Sequence, residues 1–103
     1  MAEIIGPADE ATEQVRAVLE DYERSHAAAE CFVRRYNPAS IRIKIIDPKF
    51  HGLSKGERHD YALTFLNALP EDVLAQISVL LCLEPGETSL LDLEFRDPSP
   101  SKL

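Results

Sequence analysis

The chain has 103 residues, 45% of them apolar and 28% charged, and a formal charge of −7. A chain of this length is sized for one domain with one small core, burying roughly 60–65% of its unfolded surface. No apolar run approaches the ~20 residues of a membrane span, and the acidic start from Met1 to Glu10 lacks the basic region of a secretory leader. A cytoplasmic protein without membrane association is therefore expected, with a single domain over residues 1–97 and a flexible tail at 98–103.

The charge is unevenly spread. Residues 1–33 hold eight acids and two bases, residues 34–59 two acids and seven bases, and residues 60–103 eight acids and two bases. The centre is thus a basic island of +5 between flanks of −6 each. Either these bases are solvated faces of a strand pair, partly matched by acids on a neighbouring helix, or they form an edge for an anion or a partner. Cys31 and Cys82 lie far apart in apolar company with no metal-ligand spacing, which reads as two buried free thiols.

In chain order, the spacing of Ala11, Val15, Val18, Tyr22 and Ala29, broadened by Leu19, predicts an amphipathic helix from Ala8 to about Ala29. Pro7 and the acids Asp9, Glu10 and Glu13 suit its start. His26 near its end is expected half-buried or facing the helix dipole. Cys31 to Tyr36 reads as a short strand and Asn37-Pro38-Ala39-Ser40 as a turn. Ile41-Arg42-Ile43-Lys44-Ile45 alternates strictly, so Arg42 and Lys44 share the exposed face of a hairpin's second strand, which Asp47-Pro48 ends. Ser54-Lys55-Gly56-Glu57 has the form of a capping box and opens a helix with Ala62, Phe65, Leu66 and Leu69 on its apolar face.

Pro70 marks a break and the first position of a short helix. Ser78 to Leu83 then reads as a strand covered on both sides, stopped by Glu84-Pro85-Gly86. Leu91-Asp92-Leu93-Glu94-Phe95 alternates again as an extended segment. The two helices between the second and third strands permit a right-handed crossover, so those strands are expected to be parallel. The predicted fold is α+β: helix, strand, strand, helix, short helix, strand, with a mixed three-stranded sheet, helices on one face and a C-terminal extended segment.

That order, together with a loop reading Phe-His-Gly-Leu-Ser-Lys-Gly-Glu-Arg-His from Phe50 to His59, resembles the BolA family, whose fold is similar to the type II KH domain. In that family the loop after the second strand carries Phe-x-Gly and then Arg-His six and seven residues past the glycine. Phe50, Gly52, Arg58 and His59 match it, and the architecture matches over about residues 10–85. Members that share an iron–sulfur cluster with monothiol glutaredoxins place ligands at positions that fall near Asn37 and Gln76, which bind iron poorly. The resemblance therefore implies a binding module without a cofactor, a metal or an assured glutaredoxin partnership.

Three readings of function follow. The first is a non-catalytic module making protein contacts through Arg42, Lys44, Phe50, Gly52, Ser54, Lys55, Arg58 and His59, its partner and its monomeric or dimeric state left open. The second is weak nucleic-acid binding of the KH type, although Gly52-Leu53-Ser54-Lys55-Gly56 is one residue longer than a Gly-x-x-Gly clamp. Its glycines either expose helix N-terminal amides to an anion, beside Lys55 and Arg58, or merely permit a tight loop. The third is a small enzyme pairing His59 with Asp47 or Glu57, with His51 nearby and no nucleophile motif beside them.

Overall fold

The computed structural model describes residues 1–89, and the segment at 91–95 and the tail at 98–103 lie outside them. In chain order the elements are β1 (Glu3–Ile5), α1 (Glu10–Ser25), β2 (Glu30–Asn37), β3 (Ser40–Ile46), a single 3₁₀ turn (Pro48–Phe50), α2 (Lys55–Leu66), α3 (Glu71–Leu74) and β4 (Ile77–Leu83). The fold is α+β, but among the described residues the sheet has four strands, in the order β1-β2-β3-β4, where three were expected. The added strand, β1, runs parallel to β2 with Ile4 opposite Val33. Three residues are too few to show a period, and such a strand is held by its neighbour more than by its own propensity.

β2 and β3 form the expected antiparallel hairpin, with Cys31 opposite Ile45 and Val33 opposite Ile43. Asn37 shapes its turn by accepting a hydrogen bond from the Ala39 N–H at 2.8 Å. β3 and β4 are parallel, as the intervening helices require, with Ile45 opposite Cys82. One face of this sheet carries Cys31, Val33, Ile41, Ile43 and Ile45, which bury against Val15, Leu19 and Tyr22 of α1 and Ala62 and Leu66 of α2. The helices thus pack on one face. The other face presents Phe32, Arg34, Arg42, Lys44 and Ile46 beside Val79, Leu81 and Leu83 of β4.

α1 is shorter than its apolar spacing predicts, ending at Ser25. The Ser25 hydroxyl and His26 Nδ1 both turn back to the Tyr22 carbonyl, at 3.1 and 2.8 Å, and side chains that take a carbonyl in this way compete with another helical turn. Its buried stripe is Thr12, Val15, Leu19 and Tyr22, while Ala11 and Val18 lie at the margin. Pro70 caps α3 from outside the helix, one place earlier than expected. Among the described residues β4 is the last strand of the sheet; its second half, Leu81 to Leu83, is buried on both faces, as expected, whereas its first half, Ile77 to Leu80, is only partly buried or exposed.

At the start of α1, Asp9 accepts from the Thr12 N–H at 2.9 Å and Thr12 accepts from the Asp9 N–H at 2.8 Å, a reciprocal cap. The Thr12 N–H holds the Asp9 carboxyl below its ordinary range, with Arg35 at 2.8 Å adding to the effect. A carboxyl lowered on folding stabilises the fold fully above its unfolded value, near pH 4, and the contribution fades as pH falls through the folded value. Asp9→Ala is expected to lower stability at pH 7 by about 1 kcal/mol and to flatten the acid limb of urea unfolding measured from pH 7 to 2.

Candidate functional site

The loop after β3 is built inward. Asp47, 3% exposed, accepts from the Tyr22 hydroxyl at 2.5 Å and from the Lys49 N–H at 2.9 Å. It thereby ties α1 to the 3₁₀ turn, and burial followed by this carboxylate pushes the Tyr22 hydroxyl up. Phe50, at 0% exposure, is driven into the core between sheet and helices. Gly52 follows with φ at +81°, a left-handed conformation that other side chains rarely adopt, and the chain turns there into the helix start.

Ser54 and Glu57 form the expected capping box. The Ser54 hydroxyl accepts from the Glu57 N–H at 3.2 Å and the Glu57 carboxylate accepts from the Ser54 N–H at 2.8 Å. This arrangement weighs against the anion reading of the glycine loop. A carboxylate already sits at the positive end of α2, where a phosphate would have to come, so charge repulsion opposes an anion there. Lys55 is exposed on the first turn.

Arg58 is 6% exposed and faces the interior. Nε donates to the Leu53 carbonyl at 3.1 Å, Nη1 donates to the Cys82 carbonyl at 3.1 Å and to Glu87 Oε1 at 2.7 Å, and Nη2 reaches Glu84 Oε2 at 3.4 Å. The guanidinium also lies 5.8 Å from the Phe50 ring. One side chain therefore joins the loop, the start of α2, the end of β4 and the turn after it. Glu87 is held below its usual range, chiefly by the Glu84 N–H and then by Arg58. Its place was legible in the spacing: Arg58, Ala62 and Leu66 are four apart and form the buried stripe of α2.

Arg42 and Lys44 are separated from this loop by the sheet. Both point to the face away from the helices, Arg42 opposite Arg34 and Lys44 opposite Phe32. The Arg42 guanidinium lies 3.6 Å from the centre of the Tyr36 ring and Lys44 Nζ 4.8 Å from that of Phe32. Tyr36 is 55% exposed. Cations over aromatic rings on a sheet face combine charge with flat apolar area. Arg34 and Tyr36 fall within the stretch expected to join Arg42 and Lys44 across the ladder, and Phe32, which alternates with both along β2, lies on this face as well.

His59 is exposed and stands at a groove of about 330 Å³ between α2, α3 and β4, with Leu63, Leu74, Ile77, Ser78, Val79 and Leu80 as the other lining residues. Among the described residues, the acid–base set does not converge there. Asp47 is buried on Tyr22, Glu57 caps α2, and His51 Nδ1 lies 3.0 Å from Glu84. Asn37 shapes the hairpin turn and Gln76 accepts from Arg35 at 2.7 Å.

Cys31 and Cys82 are free and buried, flanking Ile45 on the two sides of β3. Two strand spacings separate them, roughly 10 Å, beyond the ~7 Å that a disulfide spans. Burial pushes the Cys82 thiol up to about 12, against the opposing charge of Arg58, and raises Cys31 as well. The thiolate, the reactive form, is thus disfavoured at both cysteines. A thiol-specific reagent is therefore expected to leave the native protein unlabelled for hours and to label two sites on unfolding in urea; rapid native labelling would contradict this burial.

The class that fold and site define is a small α+β domain with a mixed sheet, helices on one face and a basic, aromatic face opposite. No family model matches the chain, and neither a curated protein nor a solved structure matches it. Among the described residues no helix is long and apolar enough to cross a membrane.

Proposed function

We propose that this protein is a small, non-catalytic binding module of BolA-like type that acts through protein–protein contacts on the sheet face carrying Arg42 and Lys44. The observation that carries the reading is the division of the basic island. Arg58 is buried on internal carbonyls and two glutamates on the helix side, whereas Arg42 and Lys44 lie beside aromatic rings on the opposite face of the sheet. The helix, hairpin, loop, helix pair and strand from α1 to β4 support the BolA likeness, with β1 as an addition. Phe50, Gly52, Ser54 and Arg58 serve this module by fixing the loop, and Lys55 and His59 lie on the helix side of the sheet. A cytoplasmic setting accords with the two inert thiols.

Charge reversal tests it. Arg42→Glu with Lys44→Glu is expected to abolish recovery of partners on the tagged protein from host lysate while the folded state persists; unchanged recovery of every partner would refute the reading.

A second reading rests on the same surface. Aromatic rings interleaved with bases on a sheet face offer stacking and phosphate contacts to a single strand of RNA or DNA. If that is the activity, single-stranded oligonucleotides should shift the protein at low salt and release it steeply as salt rises. Absence of any shift at low salt removes this reading.

A further inference from the structure

We propose that the sheet face away from the helices is the docking site of the chain's own segment Leu91-Asp92-Leu93-Glu94-Phe95. Leu81 and Leu83 are 9% and 6% exposed, yet the apolar side chains packed on them among the described residues, Ile5, Phe32, Ile46 and Val79, are all strand residues of the same face. Neighbours standing side by side on a pleated face shield one another's flanks and leave their tips to solvent. Leucines buried to this degree therefore call for a layer above them, and the helices are on the other side.

The sequence supplies a segment of matching chemistry at the right distance. Leu91, Leu93 and Phe95 alternate with Asp92 and Glu94, so an extended strand presents three apolar side chains to one side and two acids to the other. The apolar side matches the patch around Leu81 and Leu83. The acids are opposite in charge to Arg34, Arg42 and Lys44, which stand half-buried on the same face as that patch. The Glu84–Glu87 turn prepares the path: the Glu87 N–H bonds the Glu84 carbonyl at 3.0 Å, Pro85 and Gly86 occupy its corner with Gly86 at φ +86°, and the chain reverses after β4. Residues 84–90 reach up to roughly 23–25 Å when extended. Crossing from β4 back to β2 takes two strand spacings, about 10 Å.

This docking deepens the proposed function, because the segment then competes with a partner for the Arg42 and Lys44 face. It rests on that reading only for its biological use, and its test needs no partner. The experiment is methyl and aromatic NMR on the full chain alone, with one sample mixed from differently labelled copies. Contacts within one chain between the Phe95 ring and the Leu81 or Leu83 methyls are expected. Phe95→Ala should shift those methyl resonances, and Asp92→Lys with Glu94→Lys should abolish the contacts while the α1 and α2 signals stay in place. Random-coil shifts over 91–95 with no such contacts would overturn the proposal. Contacts seen only between copies would overturn it as well, since the occupant would then be a second molecule.

Discussion

Replacing Arg58 with methionine is expected to lower stability by about 3 kcal/mol, most of it from the Leu53 and Cys82 carbonyls and the two glutamates left without their donor. The estimate sits at the low end for a broken buried ion pair because Glu84 and Glu87 lie near the surface and regain water. In a domain whose whole stability is about 5–10 kcal/mol, that corresponds to a melting temperature lower by roughly 10–20 °C. Arg58→Lys should recover little of it, since an ammonium cannot span acceptors on both sides of a planar fork. Thermal unfolding followed by circular dichroism reads the difference. A change below about 2 °C for Arg58→Met would mean that the guanidinium is solvated and free for a partner.

Phe50→Ala should have the larger effect, about 3–5 kcal/mol, because a fully buried aromatic ring leaves a cavity that the sheet and helices cannot close. Phe50→Leu keeps most of the volume and is expected to lose less than half as much. Urea unfolding of the three proteins should give that order of midpoints at similar slopes. Near-native stability of the alanine variant would place Phe50 at a surface and revive it as a contact residue.

Much of the fold is legible in the sequence because its local signals agree with one another. The isoleucine alternation over Ile41–Ile45, the Asn37 to Ser40 turn and the Ser54/Glu57 box each find the expected element. What escapes is set by tertiary pairing. β1 exists through its ladder to β2, and α1 stops early because Ser25 and His26 both bond the Tyr22 carbonyl. The outward row of β3 reads as basic, yet Ile46, Phe32, Leu81 and Leu83 turn that face into an apolar patch with bases beside it, a combination that appears only once strand order is known.

The candidate site divides in the same way. Phe50, Gly52, Arg58 and His59 were grouped by their likeness to a motif, and burial separates them. Phe50 and Arg58 are interior, Gly52 satisfies a backbone angle, and His59 opens on a groove beside β4. Arg58 enters as a contact residue through the motif, although its four-residue spacing with Ala62 and Leu66 marks it as inward.

The proposed function places partner contacts on the Arg42 and Lys44 face and not on the Lys55 and His59 side of α2. Two charge-altered proteins, Arg42→Glu/Lys44→Glu and Lys55→Glu/His59→Ala, decide it when their bound partners are quantified beside the parent chain and their melting temperatures are matched. Recovery on the first is expected to fall at least tenfold and on the second to stay within about twofold, differences of roughly 1.4 kcal/mol or more and under about 0.5 kcal/mol in binding. Loss on the second with retention on the first would contradict it.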